Sequence, residues 1–292
     1  MTVNFTVREE HQGANLTAFL RESGVSLALI KKIKFQPDGI LVDGVKQNTD
    51  YKVQAGQKIT INVADTVEDA QKSTVIPQDI PMDIVYMDDC CMVVDKPYYM
   101  PVHPSFNHPT DTLANAFCGY WKNKGEEKIF RAINRLDKNT SGLVLIALDP
   151  FSAEKLKGNV EKVYTAIAQG KVCPAQGVIE LPIAREVESI ITRCVREDGQ
   201  YARTDYTVIK QNEHFSLMDI KLHTGRTHQI RVHFSHLGHP LCGDDLYGGS
   251  LEHIERHALH CRKLQFVSPF NGKEITVFSN LPSDMEKIVL KI

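Results

Sequence analysis

Apolar and polar positions in the N-terminal part of the chain predict a small α/β unit. Residues 16–20 and residues 27–33 each carry three apolar side chains at helical spacing. The Asp43-Gly44 pair joins two short apolar runs and predicts a tight hairpin. Alternation over residues 59–63 predicts a further strand. We therefore expect two helices, a hairpin and a closing strand within residues 1–64.

The pattern changes after a polar, acidic stretch at residues 65–79, which we interpret as a linker. From residue 80 onward many short apolar runs of strand length follow one another, with few helical patterns between them. Residues 80–292 therefore predict an α+β domain built on a mixed, largely antiparallel sheet. Helical spacing is expected at residues 111–121, 151–157 and 228–237, and after Pro282.

Composition adds few constraints. The net charge is −2 over 292 residues, so binding to nucleic acid would depend on local basic patches. Lys31, Lys32 and Lys34 form one such patch at the end of the second predicted helix. The seven cysteines include no C-x-x-C spacing, which favours reduced thiols. Because neither a secretory signal nor a run of membrane-spanning length is visible, we expect a cytoplasmic protein without membrane contact.

Four histidines invite a metal-site interpretation. They lie within twelve residues, at positions His228, His233, His236 and His239. Helical zinc motifs place two histidines four residues apart on one face, commonly with a glutamate between them. Here the first spacings are five and three, and no acidic residue intervenes. The pattern disfavours a metal site, although a metal hydrolase stays open as an alternative.

The most informative stretch is the charged segment 133–142, which precedes an apolar run at 143–147. A polar cluster at the end of a buried strand sits on a rigid support, where catalytic groups are commonly placed. Asp137 is the candidate central residue. In the simplest interpretation it pairs with Arg135 in an ordinary turn. In the alternative it performs carboxylate chemistry, with Tyr164 and Arg231 as available partners.

Arg135-Leu136-Asp137, followed by Thr140-Ser141-Gly142 and an apolar strand, resembles the signature of RluA-type pseudouridine synthases. Further matching segments follow the order of that family along the chain: 95–97, 102–104, 162–166, 202–208, 225–233, 238–240, 243–248 and 258–266. Residues 14–63 are similar to the S4 type of RNA-binding module. One position departs from the family pattern, because Asn134 stands where the family usually has histidine.

The resemblance implies an enzyme that isomerises uridine to pseudouridine in structured RNA, with no cofactor and no metal. It implies Asp137 as nucleophile, by attack on C1′ or by way of a glycal. Arg231 would hold Asp137 ionised, and Tyr164 would stack on the base and assist removal of the C5 proton. Arg135 would fill the gap left by a flipped base.

The resemblance also implies a set of supporting contacts. We expect further substrate contacts from Asn134, His103, Arg226, His228 and Gln229. We expect RNA contacts from Lys31, Lys32 and Lys34 in the S4-like module. The expected substrate is 23S ribosomal RNA, acted on by a monomer. Transfer RNA stays open as the substrate, and so does an inactive RNA-binding protein of the same fold, for which Asn134 is the only support.

Overall fold

The computed structural model describes residues 1–66, 68–69, 73–106, 108–187, 189 and 191–292. Residues 67 and 70–72 of the predicted linker lie outside the described residues, so the linker is described only in part. The division of the chain by this linker into an N-terminal unit (residues 1–64) and a C-terminal unit (residues 80–292) stays a prediction. We use these two names below.

The N-terminal unit folds as two helices against an antiparallel sheet of strand order β1-β4-β2-β3. Its elements are β1 Thr2–Thr6, α1 Leu16–Glu22, α2 Leu27–Ile33, β2 Ile40–Val42, β3 Val45–Lys46 and β4 Lys58–Asn62. Ser26 caps α2 by accepting a hydrogen bond from the Leu29 N–H at 3.2 Å. Asp43 and Gly44 both adopt positive φ, as a two-residue hairpin turn requires. Strand β1 was not predicted.

The C-terminal unit contains a large sheet, in which nine strands of the described residues pair in the order β5-β6-β7-β14-β8-β13-β12-β9, with β15 joined to β14. The strands are β5 Asp83–Met87, β6 Cys91–Lys96, β7 Ser141–Ala147, β8 Val160–Gln169, β9 Gln176–Glu180, β12 Arg203–Gln211, β13 Phe215–Leu222, β14 Leu259–Val267 and β15 Glu274–Phe278. A separate hairpin pairs β10 Ile183–Arg185 with β11 Arg193–Val195. The helices are α3 Leu113–Asn123, α4 Pro150–Leu156, α5 Gln229–His236 and α6 Ser283–Val289.

One strand pair of this sheet is parallel, and it fixes the place of the charged segment. Ser141 and Gly142 at the start of β7 lie opposite His260 and Cys261 of β14. Gly142 has a φ of +109°, and a Cβ there would come 2.3 Å from the Cys261 carbonyl oxygen. Only glycine fits so close a backbone approach. The other pairings in the sheet are antiparallel, which confirms the predicted α+β class with a mixed, largely antiparallel sheet.

Helix α5 ends earlier than predicted. The sequence places Leu237 on the apolar stripe of this helix together with Ile230 and Phe234. The helix instead ends at His236, and Leu237 is 44% exposed. Gly238 with φ of +81° terminates the helix, so Leu237 turns outward while Ile230 and Phe234 stay buried. Across the described part of the chain, no helix has both the length and the apolar character needed to cross a bilayer.

The two units share an apolar contact and a hydrogen bond, and Asp65, the first residue of the linker, adds an ion pair to the C-terminal unit. Phe151 of α4 is buried in the core of the N-terminal unit and packs edge-on against Phe5 at 6.2 Å between ring centroids. Asp65 forms a bidentate pair with Arg131, at 2.6 and 2.8 Å. Lys155 donates to the Ser23 carbonyl at 2.9 Å. The N-terminal core is therefore completed by a side chain from the C-terminal unit.

Replacing Phe151 by alanine should destabilise the protein, because it leaves a cavity in a core that this ring closes. We expect the free energy of unfolding to fall by about 3 kcal/mol or more, measured by denaturant titration. Phe278→Ala serves as the control, since Phe278 is 64% exposed on β15. Equal unfolding midpoints for the two variants would contradict the shared core.

Candidate active site

A cleft of about 840 Å³ opens at the start of β7 and gathers side chains from four separate segments. Among the predicted site residues, those that line it are His103, Asn134, Arg135, Asp137, Tyr164, Arg226 and His228. A smaller pocket adjoins it and is lined by Asp137, Tyr164, Gln229 and Arg231. The fold therefore brings residues separated by more than a hundred positions around one carboxylate, that of Asp137.

Asp137 receives a hydrogen bond from the buried guanidinium of Arg231. Arg231 Nη1 lies 3.3 Å from Asp137 Oδ2, while its Nε and Nη2 donate to the two carboxylate oxygens of Asp244 at 2.8 and 2.7 Å. Burial acts to lower the pKa of Arg231, but the two carboxylates overcome this and raise it above its ordinary value. The guanidinium is thus a fixed cation whose free edge faces Asp137. Asp137 forms no ion pair with Arg135, so the pairing expected in the simplest interpretation is wrong.

His228 is the second neighbour of Asp137. Its Nε2 lies 3.7 Å from Asp137 Oδ2, and its Nδ1 lies 2.8 Å from the Tyr247 hydroxyl. That hydroxyl accepts the Arg193 N–H, so it can donate to Nδ1 and leave a proton on Nε2. Burial lowers the pKa of His228, although the nearby Asp137 carboxylate acts to raise it. The lowered pKa favours the neutral imidazole. A left-handed backbone at His228 (φ 58°) turns the ring toward the carboxylate.

Tyr164 forms part of the cleft wall on β8, where it is 5% exposed. It lies in register with Ile220 of β13 and Cys261 of β14, so its backbone is fixed between two strands of the sheet. Burial, with added contributions from Cys261 and Asp137, raises the pKa of Tyr164 well above its ordinary value. The phenol therefore stays protonated at neutral pH and presents a flat, neutral face.

Arg135, Lys138 and Arg226 are the exposed cations of the cleft. The guanidinium of Arg135 makes no hydrogen bond or ion pair with the residues that the structure describes. Arg226 donates from Nε to the Tyr201 carbonyl at 3.0 Å and leaves its other donors toward solvent. His103 lies exposed on the rim, edge-on to Phe130 at 5.2 Å between ring centroids. These side chains can meet a polyanion without first breaking a buried contact.

Two predicted substrate contacts have structural partners instead. Asn134 is buried, donates from Nδ2 to the Leu143 carbonyl at 3.0 Å and accepts the Leu145 N–H at 2.8 Å. It therefore clamps the charged segment onto the β7 backbone. Gln229 is 2% exposed, and its Oε1 accepts from Thr224 and Arg226 in the segment that precedes α5. Its Nε2 donates to the Arg203 carbonyl and to Thr204 Oγ1 at the start of β12. Because these amides are committed to backbone and hydroxyl partners, they support the site, and their contacts with substrate stay predictions.

The lysine patch of α2 is only partly available. Lys32 pairs with Asp69 at 2.7 Å and with Asp65 at 3.6 Å, both from the segment that follows the N-terminal unit. Lys31 is exposed, and Lys34 lies 4.6 Å from the centre of the exposed Phe35 ring. Lys32 is thus the one lysine of the three whose ammonium is paired with carboxylates among the described residues, and its contact with RNA stays a prediction.

The histidines of the α5 region do not converge on one point. His233 bonds with Thr204 and the Leu181 carbonyl, while His239 bonds with the Gln169 carbonyl. Within the described ranges, the one group with ligand spacing is Asp88, Cys90 and Cys91. The Asp88 carboxylate already accepts hydrogen bonds from the backbone N–H groups of both cysteines. A hydrogen bond with Cys90, reinforced by burial, raises the pKa of the Cys91 thiol, which opposes thiolate ligation.

Asp244 is a residue that sequence reasoning missed. It is fully buried and fixes two of the three guanidinium nitrogens of Arg231. It stands thirteen positions after Arg231, beyond the end of α5, so no helical spacing links the two. A buried aspartate requires a cationic or hydrogen-bonding partner, but its choice of partner depends on the tertiary fold.

Comparison with known proteins places this cleft in a described family. Residues 91–236 match the family of RNA pseudouridylate synthases. An uncharacterized RNA pseudouridine synthase of Bacillus subtilis, YjbO, is 35% identical over 273 residues, covering 92% of this chain and 95% of the relative. The chain belongs to the RNA pseudouridylate synthase family. It is accordingly an isomerase.

Other members of the RNA pseudouridylate synthase family extend the match. Ribosomal large subunit pseudouridine synthase D of Escherichia coli is 33% identical over 270 residues, covering 86% of this chain and 81% of that protein. The structure of human RNA Pseudouridylate Synthase Domain Containing 4 aligns with a TM-score of 0.58 at 23% identity, over 71% of this chain and 92% of that one. The second likeness concerns the fold, and it agrees with the mixed sheet described above.

The clamp made by Asn134 can be tested with an isosteric change. Asn134→Asp keeps the acceptor for the Leu145 N–H but sets a carboxylate oxygen against the Leu143 carbonyl. We expect the free energy of unfolding to fall by about 2 kcal/mol or more, measured by denaturant titration. Asn4→Asp is the matched control, because exposed Asn4 uses only its carbonyl oxygen, to accept from Thr60. Equal effects of the two changes would show that the Asn134 clamp contributes nothing.

Proposed function

We propose that this protein converts specific uridines of 23S ribosomal RNA to pseudouridine, with Asp137 as the nucleophile. The observation that carries the proposal is the carboxylate of Asp137 at the cleft, 3.3 Å from a guanidinium that Asp244 holds in place. A carboxylate that accepts a hydrogen bond from a fixed cation is held in one orientation, as a nucleophile requires.

The reaction breaks the N1–C1′ bond of uridine, turns the base, and forms a C5–C1′ bond. The proton on C5 is lost, and N1 ends protonated, so no redox change or external group is involved. In our proposal Asp137 either bonds to C1′ or removes a proton to form a glycal, and both routes need its ionised form. His228 and Arg231 bracket the carboxylate and limit the directions in which it can point.

Tyr164 supports this proposal as a stacking surface. Acting as the base toward C5 would require ionisation of a phenol whose pKa lies well above its ordinary value. We therefore propose that Tyr164 stacks against the uracil ring and positions it, and we do not propose it as the group that removes the C5 proton. A neutral aromatic face beside Asp137 can hold the base while it rotates.

Access to C1′ and C5 requires the nucleotide to leave its stack, at a cost of roughly a few kcal/mol. Arg135 supports this step, because it is exposed beside Asp137 and has no described partner to give up. We propose that it occupies the space vacated by the flipped base. Arg226 and His103 would then hold flanking phosphates or sugars across the same cleft.

The choice of ribosomal RNA rests on the Escherichia coli relative, which is named for the large ribosomal subunit. Such a reaction would take place in the cytoplasm, and we propose that a monomer performs it. Pseudouridine mapping in cells lacking this protein tests the choice. Loss of a pseudouridine from 23S ribosomal RNA supports the choice. Loss of a pseudouridine from transfer RNA alone would show that transfer RNA is the substrate, while the proposed chemistry would stand.

The N-terminal unit is proposed to bind RNA in the manner of an S4 module. Its two helices and antiparallel sheet present Lys31 and Lys34 on one edge. The alternative of an inactive RNA-binding protein loses its only support, because Asn134 serves as a clamp and the carboxylate with its cation is intact.

Asp137→Asn should abolish turnover, because the amide is neither a nucleophile nor a base. With RNA carrying tritium at C5 of uridine, we expect tritium release to fall by roughly 10³-fold or more. Asp245→Asn is the control, since that carboxylate is exposed and accepts only the neighbouring Leu246 N–H. Tritium release at the wild-type rate by the Asp137→Asn protein would contradict the proposed mechanism.

The RNA contacts of α2 can be measured through salt dependence. Changing Lys31 and Lys34 together to glutamine should weaken RNA binding and reduce the slope of log affinity against log salt by about one for each lysine. Lys32→Gln is the control on the same helix, because its ammonium is already paired with Asp69. If all three lysines change the salt-dependence slope alike, the ion pair with Asp69 does not keep Lys32 from binding RNA. If none of them changes it, α2 is not part of the RNA-binding surface.

A further inference from the structure

The three residues between Asp137 and β7, and Ser141, which begins that strand, are each held by a basic side chain from elsewhere in the fold. The contacts are Lys96 Nζ to the Lys138 carbonyl at 3.3 Å, Arg256 Nη1 to the Asn139 carbonyl at 3.2 Å, His257 Nε2 to Thr140 Oγ1 at 2.7 Å, and His260 Nδ1 to Ser141 Oγ at 3.0 Å. We call residues 138–141 the support loop. It determines where the backbone of Asp137 lies.

All four basic side chains are at least 95% buried, and they differ in charge. Burial lowers the pKa of Lys96 to about 7 and that of His260 to about 4, and it lowers the pKa of His257 well below its ordinary value. The two imidazoles are therefore neutral at neutral pH. Arg256 is the permanent cation of the group, and a buried cation needs a carboxylate to remain in place.

That carboxylate comes from the C-terminal helix. Asp284 of α6 accepts from Arg256 Nε at 2.7 Å and from Nη2 at 3.0 Å, a two-point contact that fixes the plane of the guanidinium. The remaining nitrogen, Nη1, is then directed at the carbonyls of Asn139, His257 and Leu259. The Tyr98 ring covers the guanidinium at 4.7 Å. Helix α6 is itself anchored by buried Met285 and Ile288.

The arrangement repeats the one on the other side of Asp137. Arg231 is fixed by Asp244 through two nitrogens and offers the third to the Asp137 carboxylate. Arg256 is fixed by Asp284 through two nitrogens and offers the third to the loop that carries Asp137. One pair orients the side chain of Asp137, and the other orients its backbone.

We propose that Arg256 and Asp284 are positioning residues, which hold the support loop so that Asp137 meets Arg231 and the reacting C1′. This inference rests on the proposed function. It does not give either residue contact with the substrate. A displacement of about 1 Å at a reacting group can cost 10²-fold in rate, so a loosened loop should lower turnover rather than RNA binding.

The test compares two aspartate-to-asparagine changes. Asp284→Asn removes the charge that holds Arg256, and we expect kcat for tritium release to fall by about tenfold or more while KM stays within about twofold. Asp219→Asn is the matched control, because Asp219 also pairs with an arginine, Arg262, and its side chain is 27% exposed, as is that of Asp284. We expect its kcat to equal that of the wild type. Asp284→Glu, which restores the carboxylate, should recover part of kcat.

Thermal unfolding of each variant separates positioning from stability. A loss of kcat for Asp284→Asn at temperatures where the protein is fully folded supports the proposal. Wild-type kcat in that variant, an effect on KM alone, or an equal loss in Asp219→Asn would overturn it. If Asp284→Asn does not fold, Arg256→Lys is used in its place. Lysine keeps the positive charge but cannot bind Asp284 and the Asn139 carbonyl at the same time. Wild-type kcat in the Arg256→Lys protein would overturn the proposal. Failure of the proposed function would show separately, as activity in the Asp137→Asn protein.

Discussion

The buried pair between Arg231 and Asp244 is the interaction on which the geometry of the cleft depends. Two charges taken out of water are costly unless each finds complete hydrogen-bonding partners. Asp244 binds two guanidinium nitrogens, and the third donates to the carboxylate of Asp137. The cost of burying the pair is therefore tied to the position of Asp137. A displacement of either aspartate would leave part of the guanidinium unsatisfied in the protein interior.

The sheet supplies the second constraint. Asp137 precedes β7, whereas Arg231 stands on α5 and Tyr164 on β8, so three elements must meet with little freedom. The parallel contact of β7 with β14 brings the support loop against residues 256–260. Gly142 allows that contact, because any side chain there would strike the Cys261 backbone. The absence of a side chain at Gly142 thus determines whether the buried basic residues can reach the support loop.

Much of the fold followed from the periodicity of apolar residues. The two N-terminal helices, the Asp43-Gly44 hairpin and the α+β class were predicted from spacing and turn chemistry, which are local properties. The early end of α5 and the strand β1 were not, since each depends on packing against distant residues. In the same way the order of motifs identified Asp137, while the partners of Asn134, Gln229, Lys32 and Asp244 could not be predicted. A polar side chain requires a partner of a given kind, and only the tertiary fold determines which group provides it.

The distribution of charge around the cleft shows how a protein of net charge −2 can act on a polyanion. Its two buried arginines are committed to carboxylates, Arg231 to Asp244 and Arg256 to Asp284, so they shape the site without adding a positive surface. The exposed cations of the cleft, Arg135, Lys138 and Arg226, make no ion pair within the described chain. Attraction to phosphate is long-ranged and falls steeply with salt, whereas the buried pairs are shielded from it. Affinity for RNA and the orientation of Asp137 are therefore governed by different groups, and each can change without disturbing the other.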